Sequence, residues 1–235
     1  MSRMLFTLRI TIPDRPGTLG SVATAFGKGG ANILTLDVVD NESGVAVDDL
    51  LVEAPEGMQR ALQIATQLVP GLVVEEVRPV EAFQDLMSPL ELAAALSEAQ
   101  HQRSVLDTLV ERLPEALRSD WCVVLSAGQP EVNVIASSLG APSLAGVQSN
   151  WLPIDRARRL PPASWMPSSW TAGPAARDGL GKFELAAAPV FDSSTVALIG
   201  RRKGPQYRNS ELVEFGLVTR IASSSQSAIQ LDPAS

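Results

Sequence analysis

The sequence predicts an α+β protein made of two antiparallel-sheet domains in tandem. Short segments that alternate apolar and polar residues, the pattern of half-buried strands, are interspersed with segments of helical period. The pattern changes character after Pro79, and 235 residues are enough for two modest domains. We therefore assign residues 1–80 to a first domain and residues 81–235 to a second, with 81–87 as the linker.

The first domain has the predicted order βαββαβ. Its segments are, in order, residues 6–12, 18–26, 32–39, 45–54, 58–69 and 72–78. We expect the first helix to turn Leu19, Val22, Ala23 and Phe26 towards the core. The connection rules favour a four-stranded antiparallel sheet with both helices on one face, the ferredoxin-like arrangement.

The second domain begins and ends with helical patterns around a set of predicted strands. Its segments are, in order, a helical region at 88–119, strands at 121–126, 132–138, 183–191 and 195–201, and a helix that begins near Asn209. Residues 140–182 are rich in Pro, Gly, Ser and Trp, and no element is predicted there. The second domain is therefore α+β as well.

The turn after the first strand has the chemistry of a small binding site. Pro16 fixes φ at the helix entry, and Gly17 lets the backbone approach another group closely. The backbone N–H groups of Gly17, Thr18 and Leu19 could hold a carboxylate at the helix N-terminus, with Asp14 available for an ammonium group. A zwitterion would fit there. The alternative is that Asp14 only caps the helix and Pro16 and Gly17 only shape the turn.

Two segments of the first domain, PDRPGTL at 13–19 and GANI at 30–33, resemble the hallmark of the ACT domain family, and the match extends from Met4 to about Val80. The resemblance implies a regulatory module that forms a homodimer by joining sheets side by side and binds an amino acid. One wall of the implied pocket is the first loop and the other is the partner chain's second strand. By this resemblance the site residues are Asp14, Gly17, Thr18 and Leu19 from one chain, with Asn32 and Ile33 from its partner.

The end of the second domain resembles the GAF family of small-molecule sensor domains. The run ALIGRR at 197–202 and the following turn and helix are similar to the last strand, turn and helix of that family. The chain departs from the pattern in lacking a chromophore-attaching Cys in the variable loop and a cyclic-nucleotide motif. Trp151, Trp165 and Trp170 could line an apolar or cationic pocket, or could pack as the aromatic interior of a lid.

Composition excludes several function classes. The formal net charge is −7, and scattered basic residues argue against a nucleic-acid surface; the run Arg201-Arg202-Lys203 is expected to be a solvated loop. The opening residues lack a signal-peptide pattern, and no apolar stretch is long enough to cross a membrane. With a single cysteine no internal disulfide can form, which suits a reducing compartment. We expect a cytoplasmic protein without a nucleic-acid or membrane partner.

Catalytic groups are few. His101 is expected to face solvent, and Cys122 lies in an apolar strand, where a thiol behaves as a small hydrophobe. One His and one Cys make a metal site improbable on composition, and no cofactor or metal is expected. The adjacent pairs Asp48-Asp49 and Glu75-Glu76 must point to opposite faces of their strands and are interpreted as charges on the sheet surface.

The leading hypothesis is a non-catalytic regulator that binds an amino-acid-type effector at an ACT dimer interface and couples it to the GAF-like domain. Its output would pass to an unidentified protein partner or to the second domain's own ligand. The first alternative is a structural protein whose ACT-like half only dimerises. The second is an enzyme with its active site under residues 140–182, where the titratable candidates are Asp155, Arg156 and Arg158.

Overall fold

The computed structural model describes residues 3–42, 44–55, 58–80, 88–167, 170, 183–202 and 204–230. The chain forms two compact units, Met1–Leu86 and Met87–Ser235. The predicted linker, residues 81–87, lies outside the described residues.

The first unit has the predicted βαββαβ order. Its elements are β1 (Met4–Pro13), α1 (Thr18–Lys28), β2 (Asn32–Glu42), β3 (Val45–Ala54), α2 (Gln59–Leu68) and β4 (Val73–Val80). The sheet order is β2-β3-β1-β4, and every neighbouring pair is antiparallel. The predicted four-stranded antiparallel sheet is therefore confirmed, with β3 and β1 in the centre and β2 and β4 at the edges.

The core of the first unit lies between both helices and one face of the sheet. Alternate β1 residues from Phe6 to Ile12 enter this core, as their period of two predicts. On α1 the buried residues are Val22, Ala25 and Phe26, so the predicted helix face was partly wrong. Leu19 is 40% exposed because it lies in the first turn, at the open end of the sheet, and Ala23 faces solvent.

The two aspartates of β3 are buried, so their interpretation as sheet-surface charges was wrong. Asp49 pairs across the sheet with Arg9, whose Nε and Nη2 donate to the two carboxylate oxygens at 2.9 and 2.8 Å. Asp48 pairs with Ile10 and therefore lies on the opposite, helix-covered face. Asp48 is 3% exposed and Asp49 is 5% exposed.

The glutamates of β4 are half-buried and not fully on the surface as expected. The β1–β4 register shifts between Arg9 and Ile10, which leaves Glu75 as an extra residue on β4. Glu75 accepts a hydrogen bond from the Thr11 hydroxyl at 2.5 Å, and Glu76 pairs with Arg78 at 2.7 Å. The bulge thus turns one carboxylate back onto the sheet.

The second unit is a five-stranded sheet with helices on one face. Its elements are α3 (Pro89–Glu98), α4 (Gln102–Ala116), β5 (Trp121–Ser126), β6 (Asn133–Ser137), β7 (Arg158–Leu160), β8 (Phe183–Val190), β9 (Asp192–Arg202) and α5 (Asn209–Gln230). The order is β6-β5-β9-β8-β7, antiparallel throughout. β7 lies within the segment for which no element was predicted. Residues 168–169 and 171–182 of that segment lie outside the described residues.

Each face of this sheet covers a separate core. Helices α3, α4 and α5 pack on one face, where Cys122, Ala197 and Phe215 are fully buried. On the other face, side chains from residues 132–170 pack against the alternate residues of β5, β8 and β9. Both faces are therefore covered, which explains the nearly continuous apolar runs of β5 and β9.

Arg201 is fully buried in β9, so its prediction as part of a solvated loop was wrong. Its guanidinium forms a salt bridge with Glu211 of α5 and donates to the carbonyl oxygens of Leu117 at 2.8 Å and Arg118 at 3.0 Å. It also lies 4.0 Å from the centre of the Tyr207 ring. These partners offset the free-energy cost of burying the charge. They also connect the turn after β9 to the α4–β5 connection. Lys203 lies outside the described residues.

Candidate functional site

The loop between β1 and α1 is exposed and held by its backbone. The Asp14 N–H donates to the Gly44 carbonyl at 2.9 Å, which fixes the loop to the β2–β3 turn. Gly17 is the N-cap of α1 with φ of 88°, a left-handed conformation that favours glycine. No side chain caps α1 within the described residues, so Asp14 does not have the capping role that was its alternative interpretation.

Two backbone N–H groups at the start of α1 remain open to a ligand. The Thr18 N–H donates to the Arg15 carbonyl at 3.1 Å, so one of the three amides predicted to hold a carboxylate is already engaged. Across the described part of the chain, no acceptor contacts the N–H groups of Gly17 and Leu19, and both residues are exposed. Together with the positive end of the helix dipole, these two amides suit an anionic oxygen.

The second predicted wall, Asn32 and Ile33, lies at the far end of the sheet. The loop end is marked by the pairing of Pro13 with Val45, whereas Asn32 pairs with Glu53. Val45 and Glu53 are separated by roughly 27 Å of strand at about 3.4 Å per residue. Asn32 is exposed and Ile33 is half-buried. One protomer therefore does not bring the two predicted walls together.

Asp48 is a buried acidic residue near the loop that sequence analysis did not place in the site. Its side chain lies on the helix face and is 3% exposed, between the cross-strand neighbours Ile10 and Val38. Among the residues that the structure describes, none donates a hydrogen bond to it or forms a salt bridge with it. Burial, followed by the charges of Asp49 and Asp14, raises the pKa of Asp48. The sequence signal was an acidic residue at a core-facing position of an alternating strand.

Strand β2 forms an exposed edge with apolar side chains. It is bonded on one side only, to β3. Val38 is 64% exposed and Leu34 is also exposed, where the β2–β3 register shifts between Ile33 and Thr35. Leu19 adds an exposed apolar side chain in the first turn of α1. This strand thus combines an edge position with exposed apolar side chains.

The face of the second sheet opposite its helices is filled by the protein's own aromatic rings. Trp121, Trp170 and Phe183 are buried, and their ring centroids are 5.5 to 5.9 Å apart. Trp165 is buried beside the half-buried Trp151, with centroids 5.0 Å apart. The predicted tryptophans therefore contact each other and the sheet, as an aromatic interior would.

No protein-family model and no curated protein matches this sequence. Solved structures do match. The ACT domain of the GTP pyrophosphokinase from Chlorobium tepidum is 18% identical with a TM-score of 0.26, covering 34% of this chain and 100% of that domain. The GAF domain/HD domain protein from Geobacter sulfurreducens is 14% identical with a TM-score of 0.38, covering 59% of this chain and 98% of the other.

A third match is the GAF domain of a phosphoenolpyruvate-protein phosphotransferase from Coxiella burnetii, 15% identical with a TM-score of 0.37, covering 61% of this chain and 96% of that one. All three identities and TM-scores are low, so the description of the two units rests on their own elements. The first has the βαββαβ order with the sheet β2-β3-β1-β4, and the second has a five-stranded antiparallel sheet between a leading pair of helices and a closing helix. The chain joins an ACT-like unit to a GAF-like unit.

The candidate catalytic residues of the GAF-like unit are not arranged as an active site. His101 is exposed at the N-cap of α4, and its backbone exchanges hydrogen bonds with Ser104. Cys122 is buried, and burial raises the pKa of its thiol far above neutrality. Asp155, Arg156 and Arg158 are exposed, and Arg158 donates to the Trp151 carbonyl at 3.3 Å.

Within the described ranges, the His, Cys, Asp and Glu side chains form no group of three or more that could hold a metal ion. The helices of the same ranges include none with the length and hydropathy of a membrane span.

Proposed function

We propose that the ACT-like unit forms a homodimer through its β2 edges and binds an amino-acid effector at the two composite sites that result. The observation that carries this proposal is the position of the two predicted walls at opposite ends of one sheet. When two copies of β2 pair antiparallel about a two-fold axis, the start of each strand lies beside the end of the other. Asn32 and Ile33 of one protomer then approach the β1–α1 loop of its partner.

The edge itself supports pairing with a second copy. Among the described strands β2 pairs only with β3, and the outer side of an edge strand is a ready template for another strand. The exposed Leu34 and Val38 supply apolar area that association would remove from water. A contact of this kind is isologous, because the same residues face each other across the axis.

The chemistry of the composite site suits a zwitterion. The open N–H groups of Gly17 and Leu19 can donate hydrogen bonds to a carboxylate, and the exposed Asp14 offers a negative charge for an ammonium group. The Thr18 side chain, with Asn32 and Ile33 from the partner, would complete the walls. These are side chains for binding and orienting, and none of them is placed to activate a nucleophile.

The role that follows is non-catalytic regulation in the cytoplasm. An effector bound between two protomers favours the arrangement that holds both walls together, and this differential affinity is what an allosteric signal requires. The GAF-like unit would receive the signal and pass it to an unidentified protein partner. Its aromatic interior supports an interaction role for that unit over a second open ligand site.

A thermal-shift screen of the twenty amino acids against the full chain tests the proposal, since a ligand that binds the folded state raises its melting temperature. We expect a selective rise, lost in Asp14→Lys and Asn32→Ala. Matched controls are Asp155→Lys and Asn150→Ala, which change exposed residues of the GAF-like unit and should retain the rise.

The two variants separate the proposal from its alternatives. A rise that persists in both Asp14→Lys and Asn32→Ala would place the ligand elsewhere. No rise with any amino acid, in a protein that sedimentation shows to be a dimer, would instead support a unit that only dimerises.

A further inference from the structure

We propose that Asp48 is the residue that binds the ammonium group of the effector, so that the site selects amino acids with a free α-ammonium over acids that lack one. The inference rests on the proposed function and refines its site. It assigns the principal cation contact to a buried residue of β3, with the exposed Asp14 as a secondary contributor.

The adjacent aspartates Asp48 and Asp49 of β3 differ in their partners. Asp49 is buried and held by two hydrogen bonds from Arg9, the arrangement expected of a structural carboxylate. Asp48 is buried to the same degree, and no described residue donates to it. The Asp48 oxygens keep a small contact with solvent, so a cationic ligand from outside can reach a carboxylate that is otherwise enclosed and has no partner among the described residues.

Asp48 lies towards the end of β3 that adjoins the β1–α1 loop. On β3 it lies three residues after Val45, which pairs with Pro13 at the loop end of the sheet. It faces the side that carries α1, whose first turn holds the open N–H groups of Gly17 and Leu19. The charge of Asp14 contributes, after burial and the charge of Asp49, to the raised pKa of Asp48.

A ligand bound between the loop and Asp48 would meet groups of both charges. The open amides at the start of α1 favour an anion, while the carboxylates of Asp48 and Asp14 favour a cation. The cross-strand neighbour Val38 contributes an exposed apolar surface beside them. This arrangement matches the carboxylate, ammonium and carbon skeleton of an α-amino acid, whereas an α-keto acid would leave Asp48 unpaired.

The test compares the wild-type full chain with Asp48→Asn, an isosteric change that removes the charge, and with Asp37→Asn, an exposed control on β2. The probes are the twenty amino acids and the N-acetyl derivative of each one that binds. We expect Asp48→Asn to raise the melting temperature of the free protein and to weaken amino-acid binding at least about tenfold, the size of a charged hydrogen bond. N-acetylation should weaken wild-type binding to a similar extent.

Three outcomes would overturn the inference. If Asp48→Asn binds as tightly as wild type, the ammonium contact lies elsewhere while the proposed site stands. If Asp48→Asn lowers the melting temperature of the free protein, Asp48 is a structural residue. If wild type binds none of the twenty amino acids, the proposed function fails and this inference fails with it.

Discussion

The two units differ in what surrounds their unpaired polar groups. In the described part of the GAF-like unit the indole N–H groups of Trp121 and Trp151 are buried without a partner, but they lie within an aromatic interior that fills one face of the sheet. In the ACT-like unit Asp48 has no partner among the described residues and lies on a strand that leads to an exposed loop with open amides. This contrast is the reason that the proposed ligand site is placed in the first unit.

The largest expected effect tests whether the aromatic residues on one face of the GAF-like sheet are tightly packed. Trp121→Ala removes a fully buried ring that contacts two other aromatic rings, and we expect it to lower the free energy of unfolding by about 3–5 kcal/mol. Urea unfolding followed by circular dichroism measures the loss. Trp151→Ala, at a half-buried position, is the control with a smaller effect. A loss below about 1 kcal/mol at Trp121 would mean that this face is loosely packed.

The buried ion pair is the next test. Glu211→Gln keeps the shape of the side chain but leaves the Arg201 guanidinium without its counter-charge, and we expect a loss of about 3 kcal/mol. Glu111→Gln, an exposed change on α4, should alter stability by less than about 0.5 kcal/mol. Equal effects of the two variants in urea unfolding would contradict the assignment of Glu211 as the charge partner.

A smaller effect is expected in the loop of the ACT-like unit. Gly17→Ala should cost about 1–2 kcal/mol, entirely through its φ of 88°, because an added Cβ would meet no atom within 4 Å. Gly20→Ala has equal space and no positive φ, so it should stabilise α1 by about 0.5–1 kcal/mol. Opposite signs in thermal unfolding support the described loop, and a neutral Gly17→Ala would contradict its left-handed conformation.

The smallest expected effect is the pH dependence of Asp48. Its pKa is raised in the folded protein, so protonation favours folding, and the residue costs stability as the pH rises through that pKa. The stability advantage of Asp48→Asn over wild type should therefore be present at neutral pH. It should shrink as the pH falls towards the ordinary aspartate pKa of about 3.9. An advantage that grows in acid would contradict the sign of the shift.

Local patterns were sufficient to predict the element order of the first unit and the position of the loop, and the order of the second unit apart from β7. The alternation of apolar and polar residues in β1 predicts a strand, and the glycines that follow α1 predict the end of that helix. Both signals are local and need no contact between distant residues. Burial of charged residues was not predicted, because their partners meet only in the folded chain. Asp49 meets Arg9 through strand pairing, and Arg201 meets Glu211 of α5 and the carbonyl oxygens of Leu117 and Arg118. The burial of Asp48 did have a signal in the sequence, because Ala46, Leu50 and Val52 on the same face of β3 are all apolar.

The central claim, a ligand site shared by two protomers, is tested most directly by mixing two inactive variants. Asp14→Lys disables the loop wall and Asn32→Ala the strand wall, so each homodimer has two damaged sites. A mixed dimer places both changes in one site and leaves the other intact. After exchange of equal amounts, calorimetric titration with the amino acid that wild type binds should recover about one intact site for each mixed dimer. No recovery, with subunit exchange shown by mass spectrometry, would contradict the shared site.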